Sequence, residues 1–290
     1  MLEAPRTPHL VPFDSSFKLS RAPTSPGDDR GGKKRLRRAL EDAVEELGRL
    51  QQVLYAHNKV SVLLLFQAMD AAGKDSTIRR VLTGVDPAGC QVFSFGKPSA
   101  QELDHDFLWR CTRCLPERGR IGVFNRSWYE EVLIVRVHPE ILEHQRLPWR
   151  PAGSELWRER LESIHDLERH LARNGTVILK FFLNVSLEEQ RRRFLDRIER
   201  PEKNWKFNEA DVEERRHWDA YMSAYEEALN ATSRPWAPWY AIPADHKPTL
   251  RLAVARTVVE ALRGLHLRYP PPDELETKRL QHLRELLRSR

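Results

Sequence analysis

The run Val60–Phe66, followed by Asp70-Ala71-Ala72-Gly73-Lys74-Asp75, constrains this chain more than any other stretch. Its apolar part is far shorter than the roughly 20 residues a membrane span needs. It reads as a parallel strand buried on both faces. The small residues after it let backbone N–H groups approach a phosphate. Lys74 can neutralise phosphate oxygens, and Ser76-Thr77 open a helix whose positive end faces the same anion. Ala71, Ala72, Gly73, Lys74, Asp75 and Ser76 are therefore the candidate phosphate-binding residues.

The match to G-x-x-x-x-G-K-[ST] has two departures: Ala68 replaces the first glycine, and Asp75 stands where a magnesium-binding hydroxyl is expected. On spacing alone the pattern also fits an ordinary strand-to-helix turn carrying a surface lysine.

Further strands are expected at Gln91–Phe95, Gly122–Phe124, Thr176–Val185 and Trp239–Ile242. Helices are expected over Lys33–His57, Ala100–Cys114, Trp157–Arg173, from Ser186 onward, Asp211–Ala231 and Leu250–Leu267. Strands alternating with helices imply an α/β fold with a parallel, helix-covered sheet. Leu36, Leu40, Val44, Leu47, Leu50 and Leu54 recur at helical spacing, which fits a helix packed on the domain, with a coiled-coil partner as the alternative. Ser186-Leu187-Glu188-Glu189 is a capping-box signature. Residues 1–31, rich in proline, read as an extended arm and not a packed element. Residues 32–269 form one domain with a lid at about 188–212, and 270–290 form a charged tail.

The 290 residues carry 48 Lys plus Arg against 42 Asp plus Glu, a net charge of +6, which favours polyanionic partners. Three cysteines, Cys90, Cys111 and Cys114, imply no disulfide framework and suit a reducing cytoplasm. No apolar run is long enough to span a membrane.

Ligands of open parallel sheets bind beyond the carboxyl ends of the strands. That rule brings together Asp70–Ser76, Gly96-Lys97-Pro98 and Asn125–Glu130. Asp70, Asp75 and Glu130 offer oxygen ligands for magnesium, while Lys74 and Arg126 offer fixed positive charge. Beyond the fourth strand, Arg193, Arg197 and Arg200 share a helical face that Pro201 ends. This pattern suits a lid closing arginines over phosphates, and also a solvated basic helix.

With these residues in place, the chain resembles the type-2 polyphosphate kinases. The likeness is carried by Gln67–Arg79, by Phe124-Asn125-Arg126-Ser127-Trp128-Tyr129-Glu130, and by Glu189-Gln190 through Lys206-Phe207. The resemblance implies a P-loop kinase fold similar to thymidylate kinase, with a basic helical lid. It implies magnesium-dependent transfer of a terminal phosphoryl group between inorganic polyphosphate and a nucleotide. Asp70 would hold magnesium or orient the accepting phosphate, and Lys74 with Arg126 would stabilise the moving group. Arg79, Arg193, Arg197 and Lys206 would contact or close over polyphosphate. Asp106 and Glu130 are acceptor-side candidates, and Asn125 and Glu130 candidate metal ligands. Tyr129-Glu130-Glu131-Val132-Leu133 with Arg136-Val137-His138-Pro139 is similar to members using both AMP and ADP, with guanine nucleotides a further option. Family habit implies a homodimer or homotetramer. An ATP-dependent nucleoside monophosphate kinase and a nucleic-acid-binding protein are the competing readings.

Overall fold

The five strands are β1 (Ser61–Gln67), β2 (Cys90–Ser94), β3 (Ile121–Asn125), β4 (Thr176–Asn184) and β5 (Trp239–Pro243). The longer helices are α1 (Lys33–His57), α2 (Lys74–Val81), α3 (Ser154–Arg173), α4 (Leu187–Glu199), α5 (Trp218–Thr232), α6 (Lys247–Gly264) and α7 (Glu274–Arg288). The computed structural model describes residues 3–27, 32–149, 151, 153–205 and 207–288.

β1 is buried along its whole length, because it sits at the centre of a sheet ordered β2-β3-β1-β4-β5 with every pair parallel. A strand covered on both faces buries every side chain, and each Leu or Phe removed from water contributes about 1.5–3 kcal/mol. That is why β1 is almost wholly apolar and β4 is apolar but for Thr176, the buried Lys180 and Asn184. In register, Phe66 lies opposite both Asn125 and Phe181, and Ser94 lies opposite Asn125. The carboxyl ends of β1, β2 and β3 therefore finish level, and their loops rise from one edge.

The leucine stripe of α1 is used inside the chain: Leu36, Leu47 and Leu54 are buried, and α1 packs along α6. Ser186 caps α4 as its sequence signature requires, its Oγ accepting from the Glu189 N–H at 3.1 Å. Among the described residues no helix is long and apolar enough to cross a membrane.

Three expectations are corrected. The helix read over 100–114 is two short ones, Ala100–Leu103 and Trp109–Thr112. Between them Asp106 turns its carboxylate onto the Leu108 N–H at 2.9 Å, a local bond that competes with helix propagation. The helix read over 211–231 is likewise broken, by a tight turn at Glu214–His217 before α5. Finally, the N-terminal arm is extended but packed. Val11 is fully buried, its N–H donates to Trp239 O at 2.9 Å, and Ala241 N–H donates to His9 O at 2.8 Å. The arm covers the outer edge of β5, where unpaired strand groups would otherwise be open to another chain. In the tail, α7 exposes Leu275, Leu280, Leu283 and Leu287.

Candidate active site

The loop leaving β1 turns twice through left-handed backbone, at Ala71 (φ 60°) and Gly73 (φ 105°), before α2 begins at Lys74. Only glycine adopts the second conformation at no steric cost. Lys74 is folded back along the loop, 8% exposed, with Nζ donating to Ala68 O at 2.7 Å. Burial lowers its pKa and nearby Asp70 pulls it back up. The lysine is thus a desolvated cation above the α2 N-terminus, where an added phosphate would be strongly favoured.

Arg126 follows β3 in a left-handed conformation (φ 65°), which aims its guanidinium across the loop. Its Nη2 donates to Asp70 Oδ1 at 3.1 Å, and Nη1 lies 3.9 Å from Glu130 Oε2. Glu130 and Asp70 hold the guanidinium above its usual pKa range. Gln67 Nε2 fixes Glu130 at 2.8 Å, and Asn125 Nδ2 donates to Asp75 Oδ1 at 2.7 Å.

This segment is fastened from below by a fully buried polar network. Glu168 of α3 pairs with Lys180 of β4 and accepts from the Tyr129 hydroxyl at 2.8 Å. Lys180 also donates to Tyr129 Oη and to Thr232 O. Burial pushes Glu168 up and Lys180 down to about 8. Every group has a partner, which is the condition for a buried ionic network to be tolerated.

Asp70, Lys74, Asp75, Arg126, Arg193 and Arg197 all line one open cavity of about 820 Å³. Ala71, Ala72, Gly73, Ser76 and Asn125 line it too. On the far side of the Asp70–Arg126 pair, a cavity of about 40 Å³ is bounded by Glu130, Glu214, Tyr221 and Tyr225.

Arg193 differs from the mobile lid arginine that its spacing suggested. It is 5% exposed and donates to Ala71 O at 3.0 Å, Ala72 O at 2.7 Å, Ala244 O at 2.6 Å and Glu189 Oε1 at 2.7 Å. Gln190 Nε2 also donates to Asp70 O at 3.0 Å. The base of α4 is thereby joined to the phosphate loop. Arg197 is farther out along α4 and its Nη1 lies 3.5 Å from Asp211 Oδ2. Arg79 lies exposed on α2, outside the residues lining the large cavity, and Asp106 is exposed, its Oδ1 accepting from the Leu108 N–H. Lys206 lies outside the described residues.

The oxygen donors fit a hard divalent cation. Asp75 and Asp70 offer carboxylates and Ser76 a hydroxyl, a set suited to an ion that takes its remaining positions from phosphate and water. Among the described residues no three His, Cys, Asp or Glu side chains gather closely enough to hold a metal alone.

Sequence reasoning gave no role to Lys247 or Asp211, nor to Gln67, Gln190 and Lys203, which lie inside the stretches that carry the family likeness. Lys247 lines the large cavity from the start of α6. The strand-end rule, extended to β5, would have pointed to it. What Gln67 and Gln190 hold, Glu130 and Asp70 O, is decided by tertiary packing.

Comparison with known proteins gives concordant results. The family described as Polyphosphate kinase 2 (PPK2) matches residues 31–268. An ADP-polyphosphate phosphotransferase of Rhodopseudomonas palustris is 55% identical over 270 residues, 93% of either chain. An AMP/ADP-polyphosphate phosphotransferase of Meiothermus ruber is 44% identical over 271 residues, 93% of this chain and 97% of that one. The crystal structure of Polyphosphate Kinase 2 from Arthrobacter aurescens TC1 superposes with a TM-score of 0.85 at 35% identity, covering 95% of each chain.

Proposed function

The chain belongs to the polyphosphate kinase 2 family, and from that premise we propose that it moves the terminal phosphoryl group of inorganic polyphosphate onto AMP and then ADP. It is an enzyme of the P-loop kinase fold, a polyphosphate:nucleotide phosphotransferase acting on adenine nucleotides. Neither an ATP-dependent nucleoside monophosphate kinase nor a nucleic-acid-binding protein is favoured by these relatives.

The observation that carries the residue roles is that Arg126 donates to Asp70 while the buried Lys74 Nζ donates to Ala68 O nearby, with Lys74, Arg126 and Asp70 all lining the large cavity. In the proposed reaction an oxygen of the acceptor's terminal phosphate attacks the terminal phosphorus of the donor. One P–O bond forms and one breaks, and the donor leaves one phosphate shorter. Lys74 exchanges Ala68 O for a phosphate oxygen, and Arg126 neutralises charge spreading over the transferred group. Backbone N–H groups from Ala71 to Asp75 orient the anion. When bound, a divalent metal would supply neutralisation of phosphate charge. We take it to be magnesium, held by Asp70 and Asp75 with help from Asn125 and Glu130. Glu130, fixed by Gln67, faces the acceptor side. Acceptance of AMP rests on the Glu130 signature and on the name of the Meiothermus relative.

A homodimer or homotetramer in the cytoplasm completes the proposal; its cysteines are free. The deciding experiment separates the nucleotides formed by purified protein with magnesium, long-chain polyphosphate and either AMP or ADP, beside a Lys74→Ala control. ADP and then ATP from AMP, absent in the control, is the expected result. ATP from ADP alone removes AMP from the substrates, and product with ATP but not polyphosphate as donor overturns the donor assignment.

A further inference from the structure

Glu130 and Glu131 are neighbours on one 3₁₀ turn, Trp128–Val132, yet they meet different surroundings. Glu130 borders the small cavity and is held by Gln67, while Glu131 is buried. With three residues per turn, consecutive side chains point about 120° apart. Anchoring Glu131 therefore fixes the rotation of the turn, and with it the direction of Glu130.

The anchor is Arg160 of α3, which is 4% exposed. Its Nη1 donates to Glu131 Oε2 and its Nη2 to Gln145 Oε1 at 2.6 Å, and Gln145 Nε2 donates to the same Glu131 oxygen at 2.8 Å. Gln145 ends a short 3₁₀ helix, Pro139–Gln145. The guanidinium also lies over the Phe107 ring, 5.0 Å from its centroid. One side chain thus joins the turn carrying Glu130, the 139–145 helix and the stretch that follows Asp106. Among the described residues, none of Arg160, Glu131 and Gln145 lines the large cavity or the small one.

Stability alone gives little reason for such a pair, because apolar side chains of similar volume are often as stable or more so. The adjoining cluster of Val135, Leu142 and Leu156 fills its own space in that way. What a forked guanidinium adds is a fixed orientation of its partner. We propose that Arg160 is a positioning residue for the acceptor nucleotide: through Glu131 it aims Glu130, and through Phe107 it sets where the Asp106 stretch stands relative to Glu130. The inference rests on the reading of Glu130 as facing the acceptor.

The test compares the full chain with Glu131→Leu/Arg160→Met, which removes both charges and keeps the volume filled. Urea unfolding should show the variant at least as stable as the parent. KM for AMP and for ADP should each rise about tenfold, KM for polyphosphate should change by about twofold at most, and kcat should fall less than the acceptor KM rises. Arg160→Lys, which keeps the charge and loses the fork, should raise the same acceptor constants by less. A stable double variant with unchanged acceptor KM shows that the pair only holds the fold, and overturns the proposal. An equal rise for nucleotide and polyphosphate overturns it too. If the double variant fails to fold, Gln145→Met, which leaves the ion pair in place, carries the same split with a smaller rise, and no rise overturns the proposal. Equilibrium binding of ADP without polyphosphate separates this inference from the reaction. A chain that transfers nothing from polyphosphate, yet loses ADP affinity in the variant, overturns the reaction and supports the role of Arg160. Intact transfer with unaltered ADP affinity overturns that role and leaves the reaction standing.

Discussion

Asn125, at the end of β3, donates its side-chain amide to Asp75 of the phosphate loop at 2.7 Å. A neutral donor therefore sits against the carboxylate that stands in place of the usual loop hydroxyl. Replacing Asn125 by Asp sets two carboxylates in contact, and like charges at that range disfavour ionising both. Without metal the Asn125→Asp melting temperature should fall by about 2–4 °C, equivalent to about 1 kcal/mol, and magnesium should restore it by more than it raises the parent's. Calorimetric scans in chelator and in magnesium check this, and equal magnesium responses would count against metal binding at Asp75.

Lys74→Ala should lower kcat by about 10²–10³-fold, the usual effect of removing one preorganised donor to transition-state charge. Among the described residues its one side-chain hydrogen bond is to Ala68 O, so circular dichroism should show the fold retained. Retained activity would remove Lys74 from the proposed mechanism.

Arg193→Ala should act on stability first. The substitution strips Ala71, Ala72 and Ala244 of donors to their carbonyls and leaves Glu189 without one of its two arginines. Loss of one partner from such a buried charged network costs about 3–5 kcal/mol. Urea unfolding measures it. A change in polyphosphate KM with unaltered stability would return Arg193 to the role of a closing lid residue.

Lys180→Met should destabilise comparably, because Glu168 is then buried without its cation. Adding Glu168→Leu should recover part of the loss, since two apolar groups avoid the desolvation cost altogether. A double variant no better than the single would show that the Tyr129 and Trp128 contacts to Glu168, rather than its charge pair, dominate.

Lys247 gives the donor step a pH signature. Its free-state pKa is lowered to about 8, so its charge disappears as pH rises through that value, and polyphosphate binding, which favours the charged form, draws a proton back. KM for long-chain polyphosphate should accordingly rise between about pH 7.5 and 9, and Lys247→Arg, charged throughout, should flatten the profile. A parent profile that is flat over this range would exclude Lys247 from donor binding.

Much of the site was legible because it is local. Gly73, Lys74 and Asp75 are consecutive, and the strand before them and the helix after them can be read from periodicity alone. Arg126 was legible through the rule that strand ends face the ligand. Arg193 was legible as a basic residue but not in its role. Its carbonyl partners, Ala71 and Ala72, lie more than 120 residues away, and only the packing of α4 on the loop reveals them. Asp106, implied by resemblance as an acceptor residue, stands on a turn that helical periodicity did not anticipate, one carboxylate oxygen accepting the Leu108 N–H.

The amino-acid sequence by itself determined the order of strands and helices, the phosphate loop and the family, because these depend on spacing along the chain. Tertiary structure decided which cations remain free for a phosphate chain. Arg193 is consumed by backbone carbonyls, while Lys247, beside Gly73, and Arg251 have no carboxylate within 4.0 Å among the described residues. The physical reason is that a charge acts according to what surrounds it in space, and for these residues the surroundings come from β5, α2, α4 and α6 meeting at one edge of the sheet.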